Sequence, residues 1–146
     1  MNDRFMDGFL AGLIAGIISN LWSYFSFHIL KFTQLRYVDF ASVAIYGKLI
    51  RQTPELILAQ IFQLGFSAFW GVIFAYLSTR ISKSYYVFKG TFYGLTLWGA
   101  IYCMIALFRI PELAYVTLQT AVSNYMSAAV FGGVLAFVVR KLESIK

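Results

Sequence analysis

A chain of 146 residues that is 60% hydrophobic, 19% aromatic and only 12% charged, with a mean hydropathy of +0.73, has the composition of a membrane-embedded protein. Its net charge of +6 does not point to nucleic acid, because Arg4, Lys31, Arg80, Lys83, Lys89, Arg109, Arg140 and Lys141 are spread over the borders of apolar stretches, where lipid phosphates would lie. Cys103 is the only cysteine, so an intrachain disulfide is excluded, and its place inside an apolar run reads as a small apolar filler.

Four stretches lack lysine and arginine, roughly 5–30, 55–79, 90–108 and 113–139. Each approximates the 20 or so apolar residues with which a helix crosses about 30 Å of hydrocarbon. They lack the two-residue alternation of barrel strands, and only helices and closed barrels satisfy every backbone group in lipid. The expected fold is all-α, a four-helix transmembrane bundle forming one integral membrane domain over 1–146. The loops are too short for a second domain.

In the first span, Gly8, Gly12, Gly16, Ser19, Asn20, Ser23 and Ser26 share a sector of about 120°. Three glycines four apart let another backbone approach closely. The upper part of the same face is polar and must meet protein, either another span or another subunit. The run continues through Trp22, Ser23, Tyr24 and Phe25 without a cleavage pattern, which reads as a retained helix rather than a secretory signal. His28 projects away from the polar stripe at the span's outer end, as an interfacial residue would.

The following segment, from Lys31 to Thr53, is long for a helix–helix connection. Leu35, Val38, Ile45, Tyr46 and Leu49 fall on one helical face, which predicts an interfacial amphipathic helix between spans one and two. Thr53-Pro54-Glu55 offers a capping hydroxyl, a proline at the first helical position and an acid in the first turn. The second span then aligns Gln60, Gln63 and Ser67. The third carries Gly90 and Gly94, and the fourth, opening at Ile110-Pro111-Glu112, carries Gln119, Ser123, Asn124 and Ser127 in one sector.

The halves echo one another. Gly12-xxx-Gly16 matches Gly90-xxx-Gly94, and Phe69-Trp70-Gly71-Val72 matches Phe131-Gly132-Gly133-Val134, though at unequal distances from the preceding prolines. That pattern fits a duplicated hairpin related by an axis along the membrane normal, or the recurrence of common membrane-helix vocabulary. Seven cationic residues fall on the side of the N-terminal tail, second loop and C-terminal tail, and five on the other. Positive-inside reasoning places both termini in the cytoplasm.

Glycines then crowd the inner half of the bundle and amides the outer half. Two readings of the polar half compete. Asn20, Ser23, Gln60, Gln63, Gln119, Ser123 and Asn124 either bond the helices together or line a pocket for a small polar or amphipathic ligand. Chemistry beyond binding has little footing. The six acids lie near span ends or in loops, a lone histidine completes no metal site, and nucleotide or nucleophile-elbow motifs are missing. An acid–base pair from Asp39 and Glu55 is the sole catalytic arrangement worth testing. No cofactor or metal is expected.

The glycine-rich opening from Gly8 to Gly16, the long first loop and the third span's start from Gly90 through Gly94 to Trp98 resemble small four-pass bacterial membrane proteins of unknown function. The resemblance implies a bacterial cytoplasmic membrane and carries no functional residues. The leading expectation is a non-enzymatic protein acting through helix packing at Gly8, Gly12, Gly16, Gly90 and Gly94, as a homo-oligomer or an accessory subunit among membrane lipids. The alternative is a small permease, channel or lipid-binding protein.

Overall fold

A computed structural model describes residues 3–145. Its helices are α1 (Arg4–His28), α2 (Tyr37–Tyr46), α3 (Thr53–Leu77), α4 (Tyr86–Phe108) and α5 (Leu118–Ile145). Among the described residues there is no strand, and α1, α3, α4 and α5 are long and apolar enough to cross a membrane. The four spans therefore suggest a helical membrane bundle, with the expected short helix α2 between the first two.

Two starts differ from expectation. Thr53 is already inside α3, Gln52 precedes it, and no side chain caps this end. Pro111–Leu113 form a separate 3₁₀ turn rather than opening the last span. α5 begins five residues further on, because the Thr117 hydroxyl accepts the Thr120 backbone N–H at 3.3 Å and so starts a new helix. Gly47 ends α2 at φ +67°, in the left-handed conformation that glycine adopts at least cost.

The spans form a curved row in the order α3, α1, α5, α4. Arg4 and Lys83 both reach Glu143, each at 3.7 Å, so the start of α1, the α3–α4 connection and the end of α5 share one end. We call this the terminal end, and the other the α2 end. Glycines close the terminal half. A Cβ on Gly12 would lie 2.5 Å from the Ser67 carbonyl oxygen, and one on Gly71 would lie 2.5 Å from the Gly12 Cα. In the other half of the chain, a Cβ on Gly90 would lie 2.5 Å from the Gly132 carbonyl oxygen. Backbones thus touch where side chains would hold them apart.

The two pairs use glycine identically: Gly8 and Gly12 meet Gly71, as Gly90 and Gly94 meet Gly132. The counterpart of Gly71 in the second pair is Gly132, one residue from the match read in sequence. Symmetry stops there. A two-fold relation would pack α3 on α4 as α1 packs on α5, yet α3 and α4 meet mainly near the terminal end. There Phe74 touches Tyr86 and Tyr93, and the Tyr93 hydroxyl donates to the Trp70 carbonyl at 3.0 Å. Toward the α2 end the two spans part, and α2 fills the space.

α2 consequently touches every span. Its Tyr37 backbone N–H donates to Ser23 of α1, Val38 and Ala41 pack with Ala59 of α3, Tyr37 stacks on Trp98 of α4, and the Tyr37 hydroxyl donates to the Asn124 carbonyl of α5. Of the face predicted for this segment, Leu35 and Val38 are buried and Ile45, Tyr46 and Leu49 half-buried. Cys103, read as a filler, instead lies on the outward surface of α4.

Candidate functional site

Three arrangements at the α2 end carry the polar and hollow parts of the molecule. The first is an ion cluster. Asp39 is fully buried and Arg36 nearly so. The Asp39 carboxylate accepts from the Arg36 backbone N–H at 2.7 Å, from its Nε at 3.2 Å and its Nη2 at 2.9 Å, and from Arg51 Nη1 at 3.4 Å. The Arg36 guanidinium carbon lies 5.0 Å from the Phe27 ring centroid and 5.6 Å from that of Tyr24. Asp39 is thus held by arginines, not by Glu55 or His28. It closes the first turn of α2 and neutralises the only strongly buried cation there.

The second is an interhelical hydrogen-bond network. Asn20 Nδ2 donates to the Gly16 carbonyl and Gln63 Oε1, Gln60 Nε2 reaches the same Oε1 at 3.3 Å, and the Tyr24 hydroxyl donates to Gln60. The Ser26 and Ser123 hydroxyls lie 2.8 Å apart, Ser127 donates to the Ser19 carbonyl, and Asn124 Nδ2 donates to the Tyr102 hydroxyl at 3.0 Å. Burial raises the Tyr37 phenol above its ordinary range, so it remains a neutral donor to Asn124.

Six of the seven residues read as ligand-binding therefore bond helix to helix. The seventh, Gln119, is exposed on the first turn of α5, and Thr120 takes the buried position, accepting the Gln34 backbone N–H at 3.0 Å. These amides and hydroxyls thus bond mostly between helices or to backbone, and Asn20 Oδ1 is buried without a partner among the described residues. Asn124→Leu should cost about 0.6 kcal/mol, and at most roughly 1.7 kcal/mol, in unfolding measured in detergent. A loss of several kcal/mol would contradict this.

The third is a cleft. Between α3 and α4, under α2, lies a cavity of about 250 Å³ walled by aromatic rings, among them Tyr37, Phe66, Trp70 and Trp98. It continues along α4 toward Phe108 and Leu113 as a wider hollow of about 450 Å³, with an almost wholly apolar wall. Phe62, Phe66, Met104 and Phe108 on the rim are exposed, so the cleft opens sideways between the spans. Of its polar side chains, Ser19, Tyr37, Gln63 and Ser67 are bonded within the protein, while the Trp98 Nε1–H is buried without a partner among the described residues.

The glycines are equally committed. Gly8, Gly12 and Gly16 face α3, and Gly90 and Gly94 face α5, so the surface expected to drive association is used inside the chain. Among the described residues, no three His, Cys, Asp or Glu side chains gather as metal ligands would. Sequence reasoning missed the cleft and the Arg36–Asp39 pair. The Arg-x-x-Asp spacing at a helix start was the available signal for the pair; the cleft, made by the separation of α3 and α4, had none. Compared with family models, curated proteins and solved structures, the chain matches none.

Proposed function

We propose that this is a non-enzymatic integral membrane protein that binds the hydrocarbon chain of a membrane lipid in the cleft between α3 and α4. The observation that carries the reading is a sideways-opening hollow whose wall is overwhelmingly apolar, with Ser19, Gln63 and Ser67 bonded within the protein and the Trp98 Nε1–H left as an unpartnered neutral donor. Its deep part alone exceeds the roughly 150 Å³ of an apolar cavity that admits benzene. From Gly94 to Phe108, both in its wall, α4 rises about 21 Å, somewhat more than the ~15 Å of one leaflet's hydrocarbon. An acyl chain meets those dimensions, and it replaces bulk lipid with fitted rings, gaining contact rather than hydrophobic free energy.

On this reading the protein resides in the cytoplasmic membrane of a bacterium with both termini in the cytoplasm, and α2 faces the opposite side. The seven-to-five division of cationic residues supports that orientation. Ala44 and Ala100 line the hollow and are exposed. Ala44→Phe with Ala100→Trp should reduce lipid co-purified through gentle detergent extraction by at least half, with the melting temperature unchanged within a few degrees. Native mass spectrometry of the delipidated and reloaded proteins reads the result. Equal lipid retention by the filled variant would refute the cleft as the seat.

A further inference from the structure

Resting on the lipid-binding reading above, we infer that the bound lipid is anionic and sits in the leaflet facing α2, its headgroup held between Lys48 and Arg109. Only the α2 end of the cleft has cations placed to meet a headgroup while the chain runs along α4. Phe108 and Ile110 line the hollow there, and Arg109 stands between them, exposed, at φ +48° where it ends α4. The backbone turns sharply at this residue instead of continuing the helix, so its side chain belongs to the rim.

Lys48, exposed, lies on the segment that borders the same rim from the other side. Val43 and Ala44, just before it on α2, are part of the wall. Leu49, just after it, packs on the cluster of Val43, Ile105 and Leu113 that Ile110 also joins. Neither cation is engaged in an ion pair among the described residues, whereas nearby Arg51 is committed to Asp39. Glu112, next to Leu113 in the wall, is the one acid of the 109–117 segment and leaves this rim with a net single positive charge. A phosphodiester with an uncharged substituent fits that field better than a zwitterion.

The deeper end favours no competing polarity. Ser19, Gln63 and Ser67 bond within the protein, and the unpartnered Trp98 Nε1–H is a single neutral donor, too little to offset the desolvation of a phosphodiester, so the chain rather than the headgroup enters. A basic residue at a membrane surface attracts anionic lipid by roughly a factor of five. Two such residues set against one acid give an expected preference of about five- to tenfold.

The test loads the delipidated full-length protein with equimolar dioleoyl phosphatidylglycerol and dioleoyl phosphatidylcholine, and counts bound species by native mass spectrometry. Wild type should favour phosphatidylglycerol five- to tenfold. Lys48→Gln with Arg109→Gln should lose the preference for phosphatidylglycerol and, with Glu112 left at the rim, lean toward phosphatidylcholine while total lipid stays at the wild-type level. Glu112→Gln in the otherwise wild-type protein should raise the preference. Wild-type preference in the Lys48/Arg109 double variant would overturn the headgroup assignment. Displacement by glycerol phosphate at the same concentration would also overturn it, since the site would then be one for a soluble anion. Loss of total lipid in the cleft-filled variant, with preference lost only in the rim variant, separates the two proposals. Unchanged total lipid in the filled variant sinks the chain seat instead.

Discussion

In a Gly71→Ala protein, α1 and α3 should be pushed apart and the fold destabilised. The added methyl would stand 2.5 Å from the Gly12 Cα and 2.7 Å from its nitrogen, both backbone atoms that cannot turn aside. The helices must separate along the whole of their glycine contact, and α1 also carries the serine and asparagine bonds to α3 and α5. Overpacking of this kind costs about 1–3 kcal/mol and occasionally more. At the usual scaling for a chain of this length, that lowers the melting temperature by roughly 2–12 °C. Gly65→Ala supplies the control, since a Cβ there meets nothing within 4 Å, and the protein should be as stable as wild type or slightly more so. Circular dichroism melts in one detergent decide the matter. If Gly71→Ala leaves the fold intact and merely changes particle size, the glycine face serves association and the intrachain packing is wrong.

A larger loss is expected from Asp39→Leu. That change strands the Arg36 guanidinium, 7% exposed, among Tyr24 and Phe27 without its carboxylate, and it strips the first turn of α2 of its cap. Removing one partner of a buried pair costs about 3–5 kcal/mol, whereas replacing both by apolar residues of similar size can be nearly neutral. Arg36→Met with Asp39→Leu should therefore recover much of the loss, and a double-mutant cycle should give a coupling of at least 1 kcal/mol. Arg51→Gln should change little, because the Arg51 side chain is 55% exposed and screened by water. The buried-pair account fails if Asp39→Leu and Arg51→Gln cost the same.

The contrast between these sites explains what a sequence reveals here. Spans were readable because lipid tolerates almost no unpaired charge, so the Lys- and Arg-free runs mark them directly. Glycine spacing was readable because close backbone approach has few other sequence solutions, and Gly8, Gly12, Gly90 and Gly94 all meet a neighbouring helix. Which helix each would meet was not, since a face of small residues specifies distance but not partner. The burial of α2 was hidden by Arg36 and Asp39, which score as solvent-exposed one at a time and lose that character only as a pair. Gln119 failed for a local reason. Thr117 restarts the helix, and the 100° between neighbours then turns Gln119 outward and Thr120 inward. The cleft had no sequence signature, because it is the absence of a contact between α3 and α4.

The way α1 is matched bears on how the protein is made. Its glycines and Asn20 fit α3, and Ser19 and Ser26 meet α5, while α1 leaves the ribosome before either partner exists. α4 and α5, which fit one another and are consecutive in the chain, can pair as soon as both emerge. A nascent chain arrested before α3 should therefore keep α1 crosslinked to the insertion machinery or a membrane chaperone, with Asn20 and its serines sheltered there. Release should begin when α3 arrives and be completed when α5 does.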